Sequence, residues 1–349
     1  MKTQNTLNKK NKLLWSLLFL LLAAATVFAV VSQTKNFSFG KFFDFVKNSD
    51  PVYFTCAVLC MIGFIAFEGF AITVLCRAFR FKCSPVNGFL YSAADIYFSA
   101  ITPSATGGQP ACGYFMVRDG IPTMFTTVAL IANLAAYALS TLTLGIVSIA
   151  ARPALLMKFS LFSRILIYIG YAVQVVLIAF FTLMLKRGEI IASLFEWAMK
   201  LLDLLHFNRR AASLRRKFAR KMEDYGRYSA LLSGKRSMVV KVIIFNLLQK
   251  ASQVMVTVFT YLACGGQPSR AFDIFCLQSY TVIGVNCIPI PGAMGITDYL
   301  MLDCFGSVMD ELEATNLELL SRSISFYSCV IICGIAVIIK IIEQKRRSE

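Results

Sequence analysis

Six long apolar runs divide the chain, at roughly 13–31, 52–76, 122–150, 163–185, 238–263 and 321–341. Each is close to the ~20 residues that an α-helix needs to cross hydrocarbon. Two further segments, 86–121 and 271–310, are apolar but interrupted. The first breaks at 103–110, in Thr102-Pro103-Ser104-Ala105-Thr106-Gly107-Gly108-Gln109-Pro110. The second breaks at 289–295, in Ile288-Pro289-Ile290-Pro291-Gly292-Ala293-Met294-Gly295. Non-helical backbone leaves N–H and C=O groups unpaired, and hydrocarbon cannot satisfy them. Such breaks survive at membrane depth where they are buried in protein or line a wet cavity. The pattern predicts an all-α polytopic membrane protein with about six full transmembrane helices plus two re-entrant or broken helical hairpins.

Charge then sets the expected orientation. The stretch from Lys186 to Ser237 holds 13 Lys/Arg against 5 Asp/Glu, an excess that favours the cytoplasm. Lys2 to Lys12 and the tail Lys345-Arg346-Arg347 point the same way, so both termini are expected to be cytoplasmic in a plasma-membrane protein. Segment 86–121 then begins and ends inside and segment 271–310 outside, with Asp303, Asp310, Glu311, Glu313 and Glu318 on the exterior flank. Arg152 and Lys158 run against this scheme. Opposed hairpins in two halves are the mark of an inverted repeat. Placing Pro103 on Pro289 also brings Gly120 onto Gly306. The plainer alternative is a pair of ordinary helix–helix turns.

One transmembrane domain is therefore expected over 1–349. It comprises a signal-anchor helix at 13–31, a first half at 52–185, a basic amphipathic loop at 186–237 and a second half at 238–341. The 13–31 run follows Lys9, Lys10 and Lys12 like a signal peptide, but exceeds the usual ~7–15-residue apolar core. Within the loop, Ile190, Leu194, Ala198, Leu201 and Leu205 share a helical face, as for a helix lying in the headgroup plane. Arg209, Arg210, Arg215, Arg216 and Arg220, with Leu214 and Phe218, suit an anionic-lipid surface. A plain topology anchor explains them as well.

Composition agrees: 57% of residues are hydrophobic, which excludes a soluble globule. The net charge of +16 sits mostly at the ends of apolar runs, so no nucleic-acid partner is expected. Eleven cysteines without a CxxC pair and the single His206 give no metal site and no Ser-His or Cys-His machinery. No cofactor is expected.

Candidate chemistry gathers at the breaks. Short helices at Gln109–Arg118 and Thr297–Phe305 would face them with their N-termini, which attract phosphate. The substrate-binding set is Pro103, Thr106, Gly107, Gly108, Gln109, Arg118, Pro289, Pro291, Gly292, Gly295, Thr297 and Asp298. The glycines would let a headgroup approach the backbone, Thr297 would cap the second helix, and Arg118, assisted by Arg77, would meet phosphate. Glu68 lies deep in an apolar run, where a bare charge costs ~2.5–3.5 kcal/mol on insertion scales, so it is expected to face the interior and to bind a proton or an amine. Structural ion pairing is the competing reading for these charges, including Asp95. Asn133, Asn246, Gln249, Gln253 and Asn286 would polarise a groove or simply join helices.

The chain resembles the lysylphosphatidylglycerol synthase transmembrane family, the flippase-like half of multiple peptide resistance factors. The likeness rests on Pro103-Ser104 through Gly107-Gly108-Gln109-Pro110, on Tyr114-Phe115-Met116-Val117-Arg118-Asp119-Gly120, and on Pro289 through Asp298. Family members typically carry an acid after the paired glycines and a basic residue three positions later; here those places hold Gln109 and Cys112. A typical terminal Glu is replaced by Asp298. The resemblance implies a lipid translocator moving a phospholipid, an aminoacyl-phospholipid or a related lipid-linked headgroup between leaflets. Relatives join it to a soluble synthase domain that is not read in these residues. The alternatives are a membrane component of a phosphatidylglycerol lysyltransferase and a small-solute secondary transporter. Membrane lipids, a lipid synthase or glycosyltransferase, and a second copy of the chain are the expected partners.

Overall fold

The computed structural model describes residues 47, 49–102, 106–204, 221–232, 234–286 and 295–346. The expected helix at 13–31 lies outside them, as do Pro103, Pro289, Pro291, Gly292, Arg209, Arg210, Arg215, Arg216 and Arg220.

Every element among the described residues is helical. The first half contains α1 (Pro51–Ala78), α2 (Pro85–Ile101), α3 (Gly108–Arg118) and α4 (Thr123–Ala151). The short α5 (Pro153–Met157), then α6 (Leu161–Lys186), α7 (Gly188–Leu204) and α8 (221–232) connect to the second half. That half contains α9 (Arg236–Ala263), α10 (Ala271–Val285), α11 (Ile296–Gly306), α12 (Glu311–Arg322) and α13 (Cys329–Arg346), with π-helical turns at Ser323–Ser328 between the last two. Among the described residues, five helical stretches are long and apolar enough to cross a membrane: α1, α4, α6, α9 and the continuous run Glu311–Gln344. They coincide with five of the six expected spans.

The local sequence explains the boundaries. Asp50 accepts the Val52 N–H at 2.8 Å and Pro51 occupies the first helical position, where its missing donor is harmless. Ser84 and Pro85 start α2 in the same way. Thr102 ends α2 by donating to the Phe98 carbonyl at 2.7 Å, and its hydroxyl accepts the Gly107 N–H at 2.8 Å. One side chain thus closes one arm of the hairpin and fixes the start of the other.

The halves repeat. α1, α2, α3 and α4 recur in order as α9, α10, α11 and α12–α13, with starting residues displaced by 185 to 188 positions. The first members run antiparallel. The Asp50 N–H donates to the Ala263 carbonyl at 3.2 Å, and farther along the pair the Phe70 and Phe245 rings lie 5.7 Å apart. Each hairpin's long arm is shared: α2 packs between α1 and α13, and α10 packs against α9, α4 and α6. The apolar core around α2 accordingly draws on both halves, with Met61 and Ile65, Leu90 and Ala93, Val256, and Cys329 and Cys333. These apolar contacts, with a hydrogen bond from Asn246 to Asn133 at 2.9 Å, join the halves across the interior.

The long polar stretch folds back where it is described. Tyr225 donates to the Met184 carbonyl at 2.9 Å, and the Tyr228 ring lies 5.5 Å from that of Phe125. α7 forms as expected, with Trp197 exposed.

Candidate functional site

The first break adjoins a polar centre that the apolar helices bury. Glu68 stands midway along α1 and is 5% exposed. Its Oε2 accepts from the Ser92 hydroxyl and from Gln249 Nε2, both at 3.0 Å. Asp95, one turn beyond Ser92 on α2, accepts from Ser99 at 3.2 Å and from Gln109 Nε2. The two carboxyl groups lie within hydrogen-bonding reach of each other. Beside them Lys250, 1% exposed, donates to the Tyr137 hydroxyl and to Gln253 Oε1, and its ammonium lies 3.8 Å from the Tyr137 ring centroid. Five helices therefore meet at one point: α1, α2, α3, α4 and α9.

The glycines of the first break have another use than the expected one. A Cβ on Gly108 would lie 2.0 Å from Ser99 Oγ and 2.1 Å from Asp95 Oδ1, and one on Gly107 would lie 2.6 Å from Thr102. Their bare faces let α3 press against α2, so the room expected there for a headgroup is filled by the chain itself. Gln109 does reach the centre, whereas Thr106 is exposed. Arg118 does not approach the break. It is the last residue of α3, roughly 15 Å along the axis from Gly108, and stacks on Tyr114, to whose hydroxyl it donates at 2.8 Å. Arg77 holds the turn after α1 through the Cys83 carbonyl at 2.9 Å.

The second break is flanked by a separate ionic cluster. Asp298 accepts the Gly295 N–H at 3.0 Å, and its other oxygen lies 3.0 Å from Arg322 Nε. The cap of α11 is therefore Gly295, held left-handed at φ 80°, with Asp298 reaching back; Thr297 sits inside the first turn. Glu318 lies 4.0 Å from Arg322, and both are buried. Glu318 is thus not on an exposed face, because one helical turn places it beside Arg322. Asp303 accepts from the backbone and hydroxyl of Ser160, and Asp310 caps α12. Arg152 is neutralised by Asp273 at 2.8 Å, which lessens the conflict noted for that loop.

The two clusters occupy different depths. Arg322 follows Ser321, whose hydroxyl bonds Thr257 at 2.7 Å. Thr257 is eight residues beyond Gln249 on α9, roughly 12 Å along the axis. In this conformation each centre is filled by its own side chains. An open depression of about 460 Å³, lined by Leu155, Lys158, Arg270, Asp273 and Ser307, lies near the distal end of α11. It is not at either polar centre, and the polar centres carry the chemistry. Ser92, Lys250, Tyr137 and Arg322 escaped the sequence reading. Lys250 had a visible signal, as a cation in the middle of an apolar run; Ser92 and Tyr137 had none.

Long apolar helices, two broken hairpins and charges sequestered at mid-span define a multi-pass α-helical membrane protein. The chain belongs to the family described as the lysylphosphatidylglycerol synthase TM region, whose model matches residues 13–333. That membership ties it to lipid handling. No curated protein and no solved structure matches it significantly. Among the described residues no cluster of His, Cys, Asp and Glu suits a metal ion.

Proposed function

We propose that this chain moves a phospholipid, an aminoacyl-phospholipid or a related lipid-linked headgroup between the leaflets of the plasma membrane, with both termini in the cytoplasm. The observation that carries this reading is the Glu68–Asp95–Gln249 centre, buried where the two halves meet. Charge at such depth is costly and is retained where it serves passage or coupling. Two repeats sharing each other's hairpins supply the moving part, since rocking one repeat against the other exposes the same centre to either side. The buried clusters are then the closed state. Gln109, Thr297 and Asp298 keep their assignment to headgroup binding at the breaks, and the arginines of 209–220 to anionic lipid at the surface. Acyl chains would remain in hydrocarbon throughout.

Purified protein in liposomes carrying headgroup-labelled phosphatidylglycerol provides the test. Dithionite should quench inner-leaflet label faster than in empty liposomes of the same composition. Equal rates would sink the proposal. Uptake of a water-soluble substrate without lipid movement would favour the solute transporter. Lipid movement only on adding a co-purifying synthase would favour an accessory component.

A further inference from the structure

From the contact between Glu68 and Asp95 we infer that the two carboxyl groups share one proton, and that binding and release of this proton drive the first hairpin. The inference rests on the translocator reading and supplies its energy source. Two carboxyl groups within reach of each other in the protein interior are held together by a hydrogen between them. Both ionised, they would repel in contact, in surroundings that screen little.

The neighbours decide between a proton and a metal cation. Ser92 Oγ and Gln249 Nε2 donate to Glu68, and Ser99 Oγ and Gln109 Nε2 donate to Asp95. A sodium ion needs converging acceptors, whereas here four donors already engage the pair. A proton fits the remaining position between the two groups. The amide oxygens of Gln109 and Gln249 are buried without a hydrogen-bond partner. Gln249 itself is 1% exposed, and both oxygens belong to the planar amides that contact the pair. They offer acceptor sites to a water or hydronium carrying the proton in or out.

The titratable groups facing the pair are Lys250 from α9, Tyr137 from α4, Cys112 from α3 and Cys333 from α13. Lys250 is the basic group among them, and its ammonium partly balances the negative charge left by one proton on two carboxyls. Glu68 and Gln249 belong to the antiparallel α1–α9 pair, while Asp95 and Gln109 belong to the hairpin. The proton therefore sits on the seam between them. Its release to water leaves two facing anions, which push α2 and α3 away from α1. Its uptake closes the seam.

The test has two readouts. In an ester-free detergent, infrared spectra of the wild type should contain a protonated-carboxyl C=O band at neutral pH. With Glu318, the other buried carboxyl among the described residues, replaced by Gln throughout, Glu68→Gln and Asp95→Asn should each shift or remove this band, because the carboxyl that shared the proton is gone. In liposomes with labelled phosphatidylglycerol, an imposed pH gradient should accelerate movement, and either substitution should abolish that acceleration. No band once Glu318 is replaced, or the same band unshifted in both further variants, overturns the shared proton. Gradient-independent movement, or dependence on sodium instead, overturns the coupling but leaves lipid translocation standing. A band shifted or lost as expected, with no lipid movement under any gradient, rejects the translocator reading and leaves the proton pair.

Discussion

Gly88→Val should leave little monodisperse protein on size-exclusion chromatography in detergent. α1 and α2 cross at Gly69 and Gly88, where backbone meets backbone. A Cβ on Gly88 would lie 2.1 Å from Thr73 Oγ1 and 2.3 Å from the Gly69 carbonyl oxygen. A Cβ on Gly69 would lie 2.6 Å from the Phe89 nitrogen. Main chain cannot rotate away as a side chain can, so the helices must separate. Overpacking a core typically costs ~1–3 kcal/mol, and a clash with backbone belongs at the upper end or beyond it. Separation also pulls Ser92, one turn along α2, away from Glu68. Gly113→Ala is the control, since its Cβ would meet Leu130 at 3.4 Å and Thr126 at 3.5 Å, in ordinary contact. A Gly88→Val protein as heat-stable as Gly113→Ala would refute the tight crossing.

Lys340→Met is expected to lower stability by about 3–5 kcal/mol, the usual result of removing one partner from a buried ion pair. Lys340 is fully buried, and its ammonium lies 2.6 Å from Asp119. Asp119 also accepts from Tyr91 and from Gln344 Nε2 at 2.7 Å, and Asn87 accepts from Lys340 at 3.1 Å. The substitution therefore strands a carboxylate among groups arranged around a cation. A Lys340→Met, Asp119→Asn double variant should recover much of the loss, read as a thermal midpoint in detergent. If the double variant is no better than the single, packing of the lysine stem is what matters.

The same pair predicts an acid response. Burial works to raise the Asp119 carboxyl, but its bonds to Lys340, Tyr91 and Gln344 outweigh burial and hold it below the ordinary range. Its ionised form is thus favoured in the folded protein. The resulting stabilisation is complete above the ordinary Asp value of ~3.9 and is lost as pH falls through the lowered one. Thermal midpoints of the wild type should decline in that acid range, and those of Asp119→Asn should decline less. Equal slopes would mean that Asp119 does not contribute.

The spans were legible because an apolar run long enough for a bilayer admits few other structures. Proline and glycine placed α3 and α11 within one residue of their observed starts, for the physical reason that neither residue propagates a helix there. Glu68 was legible as an inward charge, since solvation costs forbid the alternative. What surrounds it was not. Ser92 reads as one more small residue in a helix, and Gln249 is 181 positions away. Gly108 illustrates the limit: the sequence signals that a side chain is excluded, while only the fold tells whether a ligand or Asp95 takes the space. The burial of Glu318 and the outward place of Arg118 were missed for a similar reason. A sequence reading gives their distance along the chain from an end or a break, not the side of the helix that meets a neighbour.

Because α2 lies between α1 and α13, the first hairpin must wait for the whole second half through α13 to be synthesised before its second flank exists. During translation Asn87, Tyr91 and Asp119 would be inserted long before Lys340 emerges from the ribosome to meet them. α13 is therefore the flank that completes the first hairpin's packing. Deleting α13 should therefore harm the first hairpin most, and supplying that helix as a separate polypeptide should rescue it.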